Sequence, residues 1–183
     1  MKAVLCSRNA HKLAELRAAL PGWELELLDA DAWPEETGSS YYENALAKAR
    51  FGRELGGRDH WVLGEDSGIE VDALHGGPGI HSSRWSVRWI EELLERLEGA
   101  EDRRARYVCE LVGLGPDGEA LRGTGVLDGS IATEPRGREG FGYDPIFVPA
   151  GASRTVAELG EEWKRANSHR ARAARTLLQA GVT

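Results

Sequence analysis

Apolar residues fall along this chain in short runs with two kinds of spacing. Val4-Leu5-Cys6 is a brief unbroken run and Trp23 to Leu28 alternates, so both read as strands. Between them Leu13, Leu16 and Leu20 recur at helical spacing. That predicts a helix from about Ala10 to Leu20, stopped by Pro21-Gly22. An acidic loop, Asp29 to Ser40, precedes a second helix from about Tyr42 to Leu55, ending at Gly56-Gly57. Trp61 to Gly64 reads as a strand, Ser67-Gly68 as a sharp turn, and Ile69 to Leu74 as further extended chain. A glycine-rich loop, His75 to Ser83, leads to a helix over Val87 to Leu97 with Ile90, Leu93, Leu94 and Leu97 on its apolar side. Arg104 to Leu114 and Glu119 to Val126 flank Pro116-Asp117-Gly118, a hairpin signal. Thr155-Val156-Ala157-Glu158 is a capping box that opens a short helix. Asn167 or Ser168 opens the last helix, which runs to about Ala180.

Strands and helices are interleaved with at least one antiparallel hairpin, which predicts an α/β fold with a mixed sheet. A length of 183 residues fits one domain, residues 1–183, with room for two lobes. No apolar run approaches the ~18 residues of a membrane span, and the first apolar run is too short for a secretory segment. Cys6 and Cys109 sit in apolar segments and read as reduced core residues of a cytoplasmic protein; no Cys/His spacing points to zinc. The balance of 23 basic and 30 acidic residues, net −7, argues against a general nucleic-acid partner. A small anionic ligand remains open, because it needs only a local cluster of donors and a metal to balance it.

Five segments carry more chemistry than their local structure requires. Ser7-Arg8-Asn9-Ala10-His11-Lys12 follows a strand and opens a helix, where free N–H groups and the dipole favour anions. It lacks the glycines of a Walker A loop, and a capped helix with a solvated lysine is the plain alternative. Glu35-Glu36 and Glu65-Asp66 are acid pairs beside loops. Carboxylates so placed can hold a hard ion such as Mg²⁺ or serve as general base for a water, or simply aid solubility. Ser168-His169-Arg170 puts positive charge at the start of a helix, against the dipole, unless nearby acids such as Glu158, Glu161 or Glu162 pair with it. Phe141-Gly142-Tyr143-Asp144 offers a ring for stacking and a glycine for close approach, or else a hydrophobic plug under a loop.

In order along nearly the whole chain, seven segments resemble the non-canonical purine nucleoside triphosphate pyrophosphatases, the inosine triphosphatase or XTP/dITP diphosphatase family. They are Ser7-x-Asn9-x-x-Lys12; Glu35-Glu36-Thr37-Gly38; Glu43-Asn44-Ala45 with Lys48-Ala49-Arg50; Glu65-Asp66-Ser67-Gly68; Gly77-Pro78-Gly79-Ile80 with Ser82 and Arg84; Gly140 to Phe147; and Ser168-His169-Arg170. The resemblance implies an elongated two-lobed α/β fold around a long mixed sheet, a nucleotide cleft between the lobes, and a homodimer. It implies Mg²⁺-dependent cleavage of XTP, ITP or dITP to monophosphate and pyrophosphate, with no nucleic-acid or membrane partner. Carried over, Ser7, Arg8, Asn9, Ala10, His11 and Lys12 would hold phosphates. Asp66 would be base and metal ligand, Glu35 would help hold Mg²⁺, and Ser67 would contact substrate. Phe141, Gly142, Tyr143, Asp144, Lys164, His169 and Arg170 would line the base pocket, with Arg170 donating to the 6-oxo group that adenine lacks. The chain departs from the family pattern at Glu65, where an aspartate is usual, at His81, often Tyr, and in a short segment after Trp85. Two other readings stand beside this one: a Maf-type pyrophosphatase of other modified nucleotides, and a nucleotide-binding protein without turnover.

Overall fold

The computed structural model describes residues 1–55 and 59–181, so the predicted stop of the second helix at Gly56-Gly57 lies outside them. The unbroken apolar runs become strands covered on both faces, as expected for parallel pairing. β1 (Lys2–Cys6) lies between β2 (Glu24–Leu27) and β3 (Trp61–Val71) and runs parallel to both, with Leu5 opposite Leu27 and Leu63. β4 (Gly77–Pro78) pairs antiparallel with β3. β5 (Arg104–Leu114) and β6 (Ala120–Ile131) are joined by the predicted turn, where Gly118 adopts φ +92°, and β7 (Phe147–Pro149) pairs antiparallel with β6. The strand order is β2-β1-β3-β5-β6-β7, with β4 beside β3, so the sheet is mixed. The helices are α1 (Ala10–Ala19), α2 (Tyr41–Leu55), α3 (Trp89–Arg96), α4 (Val156–Asn167) and α5 (His169–Ala180).

The chain forms two compact units. The first takes the described residues of 1–66, with 109–125 and those from 169 onward; the second takes 67–108 and 126–168. In the first, Leu13 and Leu16 of α1 and Ala173, Ala174 and Leu177 of α5 pack with Leu5, Leu63 and Leu111. In the second, Leu93 and Leu97 pack with Ile69, Val71, Leu127, Ile131, Ile146 and Phe147. Both cysteines are buried free thiols, as expected. Burial pushes the Cys6 thiol up to about 12, so it is neutral and inert at ordinary pH.

The predicted turn at Ser67-Gly68 does not form; β3 runs unbroken from Trp61 to Val71. Gly68 serves a close approach instead, since a Cβ there would strike the Gly79 carbonyl. β6 is longer than predicted and β7 was not predicted at all, being too short to show a period. The helix opened by the Thr155 capping box extends to Asn167 but breaks at Gly160, φ +86°. Glu139 accepts a hydrogen bond from the Glu161 N–H there, at 2.9 Å, and so caps the second piece.

Successive side chains of β3 point to opposite faces. Leu63 and Glu65 lie on the side of α1 and α5, while Gly64 and Asp66 lie on the side of α2. Gly64 lets the α2 backbone lie directly on the strand, because a Cβ there would meet the Ala45 carbonyl and the Ala49 N–H. Both obstacles are backbone, so they cannot rotate away. Gly64→Ala is therefore expected to cost about 3 kcal/mol, lowering the melting temperature by roughly 6–12 °C. A melting temperature within 2 °C of wild type would show that α2 yields more easily than this packing implies.

Candidate active site

β1 ends at Cys6 and the chain turns into α1 through Ser7-Arg8-Asn9. Asn9 is the N-cap, and its side chain accepts from the His11 and Lys12 N–H groups at 2.9 and 3.3 Å. Ser7 Oγ accepts from the Asn9 N–H at 3.1 Å. The Asn9, His11 and Lys12 N–H groups thus make bonds within the loop, and much of the loop's charge lies in its side chains. Arg8 is exposed, with its guanidinium 5.9 Å from the Trp33 ring centre; Ala10 and His11 are exposed as well. Lys12 turns inward and donates from Nζ to Glu65 Oε2 at 2.6 Å.

Glu65 has no exposed side-chain surface. Besides Lys12, it accepts from Arg170 Nε on Oε1 at 3.0 Å, with Cys109 Sγ at 3.6 Å from the same oxygen. Arg170 also reaches Glu15 on α1, Nη1 to Oε1 at 3.5 Å. Burial alone would raise the Glu65 carboxyl, but Lys12, Arg170 and Lys48 outweigh it and hold it well below the usual range. Arg170 arrives here because α5 lies on β6: a Cβ at Gly125 would strike the His169 carbonyl and the Ala173 N–H. His169 is buried beside it at the start of α5.

On the opposite face of β3 stands Asp66, the expected base. Lys48 Nζ donates to its Oδ1 at 2.9 Å and Asn44 Nδ2 to its Oδ2 at 3.1 Å. Asn44 and Lys48 are four residues apart on α2, so one face of that helix presents both. Burial, reinforced by Glu65, raises the Asp66 carboxyl above its ordinary value despite Lys48. For Lys48, burial acts downward, but Asp66, Glu65 and Glu36 together raise it, so the ammonium stays charged. Glu36 Oε1 lies 2.5 Å from Lys48 Nζ. Glu35, the expected metal ligand, is exposed. Its neighbour Glu36 is the one that reaches the cluster, through Lys48. Asp66 and Glu36 share one cation, Lys48, so the donor set is of hard oxygens around a site that already favours positive charge. Among the described residues no group of three or more His, Cys, Asp or Glu is arranged for a metal. Two carboxylates suit Mg²⁺, which keeps water or phosphate oxygens in most of its shell.

The aromatic turn belongs to the second unit and forms its own network. Asp144, buried, accepts from Lys164 Nζ at 2.6 Å and the Phe141 N–H at 2.8 Å on Oδ2, and from Tyr107 Oη at 3.3 Å on Oδ1. Lys164 Nζ also stands 3.9 Å from the centre of the Phe141 ring, a cation–π contact. Gly142 takes φ +64°, and its carbonyl accepts from Trp89 Nε1 at 3.4 Å. Tyr143 turns into the core, its hydroxyl donating to the Ser82 carbonyl at 3.3 Å. Ser67 is half-buried on β3. The structure therefore groups Phe141, Gly142, Asp144 and Lys164, and groups Arg170 with Lys12 through Glu65.

Sequence reasoning gave no role to Glu15 or Tyr107, weighed Glu36 only as half of an acid pair, and named Asn44 and Lys48 only as part of the family pattern. The i, i+4 spacing of Asn44 and Lys48 was a usable signal for two of them. Nothing local marked Tyr107, whose partner lies 37 residues away.

A mixed sheet with helices on it, carrying a buried carboxylate held by an asparagine and by a lysine that a second acid shares, defines an α/β protein equipped for charged-ligand chemistry. The chain belongs to the Ham1 family, whose profile matches residues 3–180. It is 42% identical to a dITP/XTP pyrophosphatase of Nitratidesulfovibrio vulgaris, over 96% of this chain and 93% of that one. It is 46% identical to a dITP/XTP pyrophosphatase of Symbiobacterium thermophilum, over 97% and 93%. The Staphylococcus aureus Ham1 protein superposes with a TM-score of 0.85 at 38% identity, over 100% of this chain and 98% of that one.

Proposed function

We propose that this protein hydrolyses XTP, dITP and ITP to the monophosphate and pyrophosphate, clearing altered purines from the nucleotide pool. The observation that carries it is Asp66: a buried carboxylate of raised pKa, held by Asn44 and Lys48, in a chain 42% identical to a dITP/XTP pyrophosphatase over almost its whole length. Asp66 takes the proton from the attacking water or orients it toward the α-phosphorus. Lys12 and Lys48 meet the negative charge of the polyphosphate. Asp66 and Glu36 would hold Mg²⁺, which would supply charge neutralisation at the phosphates. Phe141 and Lys164 receive the base, the ring by stacking and the ammonium by donation to a 6-oxo acceptor. The resemblance further supports a cytoplasmic homodimer; among the described residues no helix is long and apolar enough to cross a membrane.

The test is purified protein with dITP, XTP and dGTP plus Mg²⁺, scoring monophosphate and pyrophosphate. Turnover of dITP and XTP is expected to exceed that of dGTP by at least tenfold. Equal rates on all three, or orthophosphate as the only product, overturn the proposal. EDTA in excess should abolish turnover and added Mg²⁺ restore it, while the melting temperature moves by less than about 3 °C. That small shift is expected because Lys48 already holds the two carboxylates together.

A further inference from the structure

We propose that Glu65 is a positioning residue: its carboxylate clamps Lys12 and Arg170 together on the face of β3 opposite Asp66, and thereby fixes the ammonium that meets the polyphosphate. This rests on the functional reading above, and departs from reading Glu65-Asp66 as one acidic pair. A strand cannot aim adjacent side chains at one ligand on one face. Here each Glu65 oxygen is already spoken for, Oε2 by Lys12 Nζ at 2.6 Å and Oε1 by Arg170 Nε at 3.0 Å. With no exposed side-chain surface, the carboxylate is a poor candidate for a hydrated metal and a good strut.

The clamp has a use. A lysine is a point charge on a flexible four-carbon stem, and ordering that stem on substrate binding costs entropy. Lys12 keeps 16% of its side chain exposed while its ammonium is anchored, and an ammonium has three donors. One serves Glu65 and the others remain for an anion. Arg170 carries the same restraint into α5, and through Glu15 back to α1, the helix that bears Lys12. The loop N–H groups at Asn9, His11 and Lys12 are bonded within the loop, which raises the share of the phosphate contact that falls to side-chain cations. The arm length matters too: an aspartate is one methylene shorter, so within this chain's own packing Lys12 and Arg170 would have to move to keep both contacts.

The experiment is a kinetic and stability cycle over wild type, Glu65→Gln, Lys12→Met and the double variant, with Glu65→Asp as a second probe should Glu65→Gln fail to fold. Glu65→Gln is expected to raise KM for dITP about 10- to 100-fold, the scale of an ångström-sized misplacement, with a smaller change in kcat. Half-saturation by Mg²⁺, and Mn²⁺ binding followed by electron paramagnetic resonance, should stay within twofold of wild type. In the Lys12→Met background the added KM effect should shrink to under threefold, because the clamp has lost what it positions. Glu65→Asp should show the same KM rise. A metal-affinity loss with KM unchanged, or fully additive KM effects of Glu65→Gln and Lys12→Met, overturns the proposal. Should wild type not turn over dITP at all, the functional reading falls instead. The clamp is then read from the same four proteins as non-additive denaturant midpoints, and additive midpoints overturn it.

Discussion

Asp66→Asn is expected to lower kcat for dITP hydrolysis by about 10³-fold or more, while the protein stays folded and still binds nucleotide. The carboxylate stands at the end of the buried stretch of β3 facing α2, between Lys48 and Asn44. Replacing it with an amide of the same shape removes the only function that geometry cannot supply, acceptance of a proton in the transition state. Loss of a positioned base alone costs about 10²–10⁴ in rate, and the amide is also a weaker ligand for Mg²⁺. Lys48 keeps its partner Glu36, so the substitution does not strand a buried charge. The measurement is single-turnover hydrolysis beside calorimetric binding of dITP with Ca²⁺. Hydrolysis within tenfold of wild type would remove Asp66 from the role of base, and with it the core of the proposed mechanism.

The strands and helices that carry a clear period were legible before the structure. β5 matches its predicted span from Arg104 to Leu114, and the capping box at Thr155 is formed, its side chain bonded to the Glu158 N–H. The turn expected at Ser67-Gly68 failed for a tertiary reason. Glycine there admits the Gly79 carbonyl rather than reversing the chain. The acid pairs are divided in space for a geometric reason. Adjacency in sequence suggested shared work, but β3 sends Glu65 and Asp66 to opposite faces, and the loop before α2 sends Glu36 rather than Glu35 to Lys48. The charge of Arg170 at the start of α5, contrary to the dipole, is met by burial against Glu65 and Glu15. These pairings span 105 and 155 residues, so no local pattern encodes them. Asp144 and Lys164, which the resemblance put at the base, are joined directly in the structure as a buried ion pair.

Asp144→Leu is expected to be among the most destabilising single substitutions in the second unit, by about 3–5 kcal/mol, the usual cost of breaking a buried ion pair from one side. Asp144 and Lys164 each expose 3% of their side chains, so solvent cannot replace the lost carboxylate. That carboxylate gathers the Lys164 ammonium, the Phe141 N–H and the Tyr107 hydroxyl, and the Asp144 carbonyl accepts from the Ala157 N–H at 3.1 Å. Losing the side chain therefore releases the turn that carries Phe141 and the lysine beside its ring together. Lys164→Met removes the charge but leaves the carboxylate its Phe141 and Tyr107 donors. It should cost about half as much while weakening dITP binding comparably. Urea midpoints measure the first difference and KM for dITP the second. If Lys164→Met costs more stability than Asp144→Leu, the ammonium and not the carboxylate organises the turn. If neither variant changes KM, the turn is a structural plug and the base is received elsewhere.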